Sequence, residues 1–350
     1  MLREIGGRPV GAAAPLFVIA EIGLNHGGSV DRALAMVDAA AAAGASAVKL
    51  QTLRADGLVA ASCPAPAHVR AASLRDFFAA FELDVEAHQA IVARARAHRL
   101  AVVSTPLSDE AVGMLEWLDV DAYKIASGDL THHSLIARAA RTGRPVILST
   151  GMSTLAEVVE AVRHARSAGG DQIAALHCVS AYPTPVDAQN LRAIGTLANA
   201  LGVPVGLSDH GSGLHAAIAA VALGACIYER HFVLDGDADA IDRAVSSTET
   251  ELAAIVRAVN DTRLALGDGR KIVQPAERPN VVPSRRGLYA ARALRAGDRC
   301  APDDLIALRP ASAFSAADLP LLVGATVRRD VPAGAPLSVH DVLLARERAA

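Results

Sequence analysis

Residues 203–232 read VPVGLSDHGSGLHAAIAAVALGACIYERHF. Two apolar runs, Val203–Leu207 and Ala225–Glu229, flank an Ala-rich stretch, and each runs into a polar cluster that holds a histidine, His210 and His231. Apolar runs of this length between helical stretches are the buried strands of a parallel α/β protein, and the residues just past their C-terminal ends face a common mouth. Neighbouring strands would bring the two imidazoles within reach of one divalent metal. One histidine at such a place reads better as a satisfied core residue. Two at equivalent strand ends, with Asp209 and Glu229 beside them, read as well as a metal site as they do as core residues.

The same rhythm extends in both directions. Towards the N-terminus, strands are expected at Leu16–Ile22, Ala47–Leu50, Ala101–Thr105, Asp121–Ala126, Pro145–Ser149 and Ile173–His177. Amphipathic helices are expected at Asp31–Ala43, Asp84–Arg99 and Thr154–Ala168, with Ser108 capping another and a last one over Thr248–Leu266. With the two strands above, this gives eight strand–helix units, the rhythm of a (β/α)₈ TIM barrel. An open doubly wound sheet would want a GxGxxG turn after its first strand, and AEIGLNHGG is not one. The stretch 55–81 is too long for an ordinary βα connection and reads as a functional cover. A Pro-rich linker is expected at 273–284, after a barrel spanning 1–272. Beyond it, 285–350 changes period: LYAARALRAGD and ATVRRDVPAGAPL look like two related strand-and-turn units of a small, mostly β domain.

Composition narrows the class. Aromatics are 3% against 52% hydrophobic residues, so the core must be built from Ala, Val, Leu and Ile. A net charge of −3 gives no nucleic-acid surface. Cys63, Cys178, Cys226 and Cys300 form no CxxC and fit a reduced, cytoplasmic setting. No signal-peptide core and no membrane-length apolar run is present in the sequence. Lysine is rare: Lys49, Lys124 and Lys271 are the only three, arginine serving elsewhere. Two of these three sit at expected strand ends, where a compact ammonium suits a site that a guanidinium would not fit.

The expected strand ends collect Glu21, Lys49, Gln51, Thr105, Lys124, Ser127, Ser149, Tyr182, Ser208, Asp209, His210, Glu229 and His231. Two ammonium groups with the hydroxyls of Thr105, Ser127, Ser149 and Ser208 describe an anion pocket for a phosphate. Two imidazoles with nearby oxygen donors suit Mn²⁺, Fe²⁺, Co²⁺ or Zn²⁺ with open positions. Phosphate pocket and Lewis acid together suggest a phosphorylated carbon nucleophile and a carbonyl electrophile.

AEIGLNHGG, VKLQT, VSTP, YKIASG, ILSTGMS, HCVSAYPTP, GLSDH and ERHF, in that order, resemble the successive motifs of the sialic acid synthase family, and the tail resembles that family's SAF, or antifreeze-like, domain. The resemblance covers nearly the whole chain. It implies condensation of phosphoenolpyruvate with the open-chain aldehyde of an N-acylated amino-hexose, releasing phosphate. It implies Mn²⁺ on His210 and His231, with Mg²⁺ or Co²⁺ as alternatives. Lys49, Thr105, Lys124, Ser127, Ser149 and Ser208 would hold phosphoenolpyruvate. Glu21 would position or deprotonate the water that adds to the oxocarbenium carbon. Asn25, Gln51, Tyr182 and Asp242 would serve the sugar, and Arg309 would reach into the other subunit's active site in a domain-swapped homodimer.

Three departures from the family pattern fall, on this reading, on the sugar side: Ser180 in place of a frequent Asn, the acidic loop 235–242 after ERHF, and ASAFS after Arg309–Pro310. They argue for an unphosphorylated substrate other than N-acetylmannosamine, such as a deoxy-diacetamido hexose leading to a legionaminate- or pseudaminate-like acid. Asp235, Asp237 and Asp239, if they face inward, would repel a sugar phosphate. Two readings compete: an aldolase using Lys49 or Lys124 as a Schiff base, and an inactive sugar-binding barrel.

Overall fold

The computed structural model describes residues 2–65 and 71–344. The chain divides into two units, Met1–Gly267 and Asp268–Ala350. In the first, eight parallel strands close on themselves: β1 Phe17–Gly23, β2 Ala47–Thr52, β3 Ala101–Pro106, β4 Ala122–Ile125, β5 Val146–Ser149, β6 Ile173–Cys178, β7 Val205–Asp209 and β8 Ile227–Phe232, with β8 pairing back onto β1. Each strand is followed by a principal helix: α1 Val30–Ala42, α2 Val85–Ala97, α3 Asp109–Trp117, α4 His133–Ala140, α5 Leu155–Ser167, α6 Ala193–Leu201, α7 His215–Ala222 and α8 Glu249–Leu266. This is the TIM barrel expected from the sequence. Its helix starts are chemically marked: Ser29, Asp84, Ser108, Thr154 and Thr248 each accept a hydrogen bond from a first-turn amide.

Strand alternation splits the apolar residues into two cores. Outward residues such as Val18, Val48, Val102, Tyr123, Leu148 and Tyr228 pack under the Ala-rich helices. Inward residues, among them Phe17, Ile19, Val103, Ile147, Leu176 and Ile227, fill the barrel. In β7 the wall is so close that a Cβ at Gly206 would come within 2.2 Å of the Ile227 carbonyl oxygen, so only glycine fits. The first residues, read in the sequence only for targeting signals, form a hairpin of Glu4–Ile5 and Arg8–Pro9 whose Leu2, Ile5 and Val10 join the interior cluster. Apolar filling thus occupies the N-terminal half of the barrel and leaves the polar strand ends to the opposite mouth.

The cover 55–81 contains two short helices, Ala55–Leu58 and Leu74–Ala79; residues 66–70 of that stretch lie outside the described residues. The expected linker is largely helical, with a turn at Pro275–Glu277 and a helix at Arg278–Ser284. In the second unit, β9 Gly287–Ala290 pairs antiparallel with β10 Leu305–Leu308, and β11 Thr326–Val327 with β12 Val342–Leu343. The repeat seen in the sequence is physical. Arg292 bonds Asp304 and Arg329 bonds Asp341, and each aspartate also caps the amide three residues before it. Among the described residues no helix is long and apolar enough to cross a membrane.

Candidate active site

Register places the polar layer. Glu21 stands opposite His231 on one side and Lys49 on the other, Gln51 opposite Thr105, and Glu229 opposite Ser208. Glu21, Lys49, Gln51, Thr105, Lys124, Ser127, Ser149, Tyr182, Ser208, His210 and His231 therefore line one pocket of about 310 Å³, as expected, with Glu229 among them.

Glu229 is the hub that the sequence reading underrated. It was grouped with the carboxylates beside a metal; the structure makes it the counter-ion of both lysines. Lys124 Nζ donates to Glu229 Oε1 at 2.8 Å, Ser208 Oγ donates to the same oxygen at 2.8 Å, and Lys49 Nζ lies 3.7 Å from Oε2. Lys49 Nζ also lies 3.0 Å from Glu21 Oε2 and 3.3 Å from Thr105 Oγ1, while Gln51 Nε2 donates to Glu21 Oε1 at 2.9 Å. Burial opposes every charge here, and the pairing decides the outcome. Glu21 and Glu229 outweigh burial at Lys49 and raise its pKa. Burial wins at Lys124, with the Lys49 charge adding to it, and its pKa falls. Lys124 and Lys49 overcome burial at Glu229 and hold its carboxyl well below the usual range.

The two histidines stand beside this network, ring centroids 5.4 Å apart. His210 Nδ1 lies 3.1 Å from the Val179 carbonyl, which can only accept, so Nδ1 carries the proton and Nε2 keeps its lone pair. His231 Nδ1 lies 3.3 Å from Asp242 Oδ2. The Tyr182 ring lies against His210 at 4.2 Å and edge-on to His231 at 6.1 Å, covering the pair from the solvent side. Among the described residues no set of three or more His, Cys, Asp or Glu side chains gathers as ligands. A metal here would have His210 and His231 as its protein ligands and its other positions open. That donor set, with each Nδ1 facing an oxygen, fits a divalent ion of the Mn²⁺ kind.

Four expectations need correction. Asn25 does not line the pocket: its Nδ2 donates to Phe232 O at 2.8 Å and Ser246 Oγ at 2.9 Å, and its Oδ1 accepts from Asp242 N at 2.9 Å. With its amide fully used, Asn25 positions Asp242, which faces His231. Asp209 lies between inward Ser208 and inward His210, so alternation turns it into the wall, where it accepts from Tyr228 OH at 2.8 Å and Arg230 Nη1 at 3.0 Å. Ser180, expected apart from the phosphate hydroxyls, stands beside one of them: a Cβ at Gly151 would meet Ser180 Oγ at 2.2 Å and Ser127 Oγ at 2.8 Å. The acidic loop does not crowd the pocket. Asp235 accepts from Thr250, Asp237 lies 3.8 Å from Arg32, Asp239 is exposed, and none of the three lines the mouth. Arg309 is exposed, just past β10 in the second unit. Cys178, read in the sequence only for its redox setting, also lines the pocket, 3.8 Å from His210 Nδ1. Burial raises its pKa, but His210 outweighs it and brings the thiol to about 7.

The model of the NeuB family matches residues 36–271, two-thirds of the chain, and that of the SAF domain matches 285–343. The chain belongs to the NeuB family. It is 34% identical to the N,N'-diacetyllegionaminic acid synthase of Campylobacter jejuni over 85% of this chain and 92% of that protein. It is 31% identical to a pseudaminic acid synthase of the same species, over 93% of this chain and 96% of the relative. Among solved structures, the N-acetylneuraminic acid synthetase of Leptospira borgpetersenii superposes with a TM-score of 0.71 at 32% identity, covering 79% of this chain and 94% of that one. The inward lysines, hydroxyls and histidines of this NeuB-family chain line one pocket.

Proposed function

We propose that this NeuB-family protein condenses phosphoenolpyruvate with the open-chain aldehyde of an unphosphorylated deoxy-diacetamido hexose, giving a legionaminate- or pseudaminate-like nonulosonic acid and phosphate. The observation that carries the reading is the convergence of Lys49, Lys124 and the hydroxyls of Thr105, Ser127, Ser149 and Ser208 beside His210 and His231 in one pocket.

The phosphate of phosphoenolpyruvate binds at the lysines and hydroxyls, displacing part of the Glu229 pairing. His210 and His231 would hold a divalent metal, which would supply a Lewis acid for the aldehyde oxygen. Carbon three of the enol forms a bond to the aldehyde carbon, water adds at carbon two, and phosphate leaves by C–O cleavage. Glu21, oriented by Gln51 and Lys49, takes the proton of that water. Tyr182 and Asp242 serve the sugar end. Arg309 completes the site from the SAF domain of a second subunit in a swapped dimer. The sugar assignment draws on the relatives named for diacetyllegionaminic and pseudaminic acids. It does not draw on Ser180, which lies beside Ser127, or on Asp235, Asp237 and Asp239, which do not line the pocket.

A Schiff-base aldolase would use one uncharged lysine, whereas both lysines here are paired with carboxylates. The test is a panel of N-acylated hexosamines with phosphoenolpyruvate and Mn²⁺, followed by phosphate release and product mass. Highest kcat/KM on N-acetylmannosamine or its 6-phosphate rejects the sugar assignment. Borohydride trapping of an adduct at Lys49 or Lys124 rejects the reaction class.

A further inference from the structure

A cavity of about 720 Å³ in the barrel unit is not the reacting pocket. It lies beside it, over the ends of β5 and β6 and between α5 and α6, and the two share Met152, Cys178 and Ser180 as common wall. The shared wall is on the hydroxyl side. Ser127 and Ser180 both flank Gly151, and Ser127 Oγ accepts from the Gly151 amide at 3.0 Å. A phosphate held at Ser127 and Ser149 therefore borders this second cavity, while Gln51, Glu21 and Asp242 lie across the barrel mouth.

The lining suits an anion in transit. It contains no Asp or Glu, and Arg192, exposed at the start of α6, carries its one fixed charge. Asn190, Thr196 and Ser153 add neutral polar groups. His177 is held neutral: its Nε2 faces the Gln189 carbonyl at 2.8 Å and burial lowers its pKa. Met152 borders both cavities, is 75% exposed, and carries an unbranched, adaptable side chain. The carboxylates of the reacting pocket are paired with its two lysines, and the second cavity presents a phosphate with no carboxylate at all.

We propose that this cavity is the phosphate vestibule of the reacting pocket, through which the phosphate dianion leaves, separately from the sugar acid, drawn by Arg192. The inference rests on the reading of the pocket as a phosphoenolpyruvate site and adds a route to it.

The test uses the full-length protein and Arg192→Glu, an exposed position outside the reacting pocket, with Thr196→Trp as a second variant that narrows the cavity. Inhibition of turnover by added inorganic phosphate and KM for the sugar are measured, and phosphate binding is measured by calorimetry without sugar. Arg192→Glu should weaken phosphate inhibition and phosphate binding about five-fold, an effect that shrinks as salt rises. Thr196→Trp should lower kcat, and KM for the sugar should stay within about two-fold in both variants. Unchanged phosphate inhibition in both variants, or a change that falls on the sugar KM instead, overturns the vestibule. If the protein turns over no phosphoenolpyruvate, the functional reading fails by itself and calorimetry decides the vestibule. Equal phosphate binding by wild type and Arg192→Glu, or none by either, overturns it.

Discussion

Lys124 and Glu229 meet at 2.8 Å inside the barrel, on strands β4 and β8 that do not pair with each other. Glu229 also takes the Ser208 hydroxyl and faces Lys49, so a single carboxylate is shared by two ammonium groups. Removing it leaves two buried lysines with one remaining carboxylate, Glu21, beside Lys49. Glu229→Gln should therefore lower stability by about 3–5 kcal/mol, the usual cost of breaking a buried ion pair. Phosphate or phosphoenolpyruvate, supplying the missing negative charge, should recover part of that loss. Urea unfolding with and without phosphate measures both effects. A midpoint equal to wild type in phosphate-free buffer would show that Glu229 is not the counter-ion described.

Lys124→Ala removes a charge-assisted contact to the phosphate while leaving the metal residues in place. It should raise KM for phosphoenolpyruvate and cost about 2–5 kcal/mol in kcat/KM. Wild-type kcat/KM in this variant would contradict the phosphate role.

The metal assignment separates from folding. Chelation should abolish phosphate release and Mn²⁺ restore it; His210→Ala and His231→Ala should lose Mn²⁺ binding, read by electron paramagnetic resonance, while keeping the far-UV spectrum of the barrel. Asn25→Ala gives the finer test. Asn25 touches neither pocket nor histidine; it holds the Asp242 backbone, and Asp242 faces His231. Supporting partners of this kind typically account for 10–100-fold in metal affinity, so about that loss is expected in Asn25→Ala. Undiminished Mn²⁺ affinity would remove Asn25 from the support of the site.

Stability should fall early in acid because histidines are buried neutral. His26 is buried and its Nδ1 accepts from Gly28 N at 3.0 Å; burial first, then the nearby His88 and Arg32, lowers its pKa to about 4. Burial also lowers His88 and His177. The unfolded chain takes up these protons near pH 6.5 and the folded chain does not. The stabilisation is therefore complete above about pH 6.5 and is lost as pH falls towards the folded value, each unit of separation being about 1.4 kcal/mol. The urea midpoint should drop between pH 7 and pH 5, and His26→Asn should flatten that drop. A midpoint independent of pH over this range would mean that these imidazoles become charged in the folded protein as readily as in the unfolded chain.

The barrel was legible because its strands are short apolar runs spaced by amphipathic helices, and the site was legible because arginine has displaced lysine except at Lys49, Lys124 and Lys271. What failed was the side of the wall. Asp209 was grouped with its neighbours although the period of two, once His210 is taken as inward, turns it outward. Asn25 could not be placed because a sequence does not say whether an amide is already used, and its three partners come from residues more than two hundred positions away. Ser180 was assigned by analogy with a motif; its place beside Ser127 follows from the tight passage at Gly151, which has no sequence signal of its own. The hairpin Glu4–Pro9 was invisible because two-residue strands carry no period.

The proposed swap of SAF domains makes a prediction that no single-subunit arrangement shares. Arg309 is exposed at the end of β10, so Arg309→Ala should fold as wild type, yet lose activity if the arginine serves a sugar. Its position in cis or in trans is then read by mixing. Take one subunit with Lys124→Ala in its barrel and another with Arg309→Ala in its SAF domain, each inactive as a homodimer. If every site joins one subunit's barrel to the other's SAF domain, the mixed dimer has one site with both defects and one site with neither. Random exchange at equal amounts makes half of the dimers mixed, so about a quarter of wild-type activity should return. If each SAF domain serves its own barrel, both sites of the mixed dimer carry one defect and no activity returns. Exchange must be shown independently, by tagging the two subunits and recovering them together. Co-recovery without regained activity places Arg309 with its own barrel, and full activity in the Arg309→Ala homodimer removes it from the site altogether.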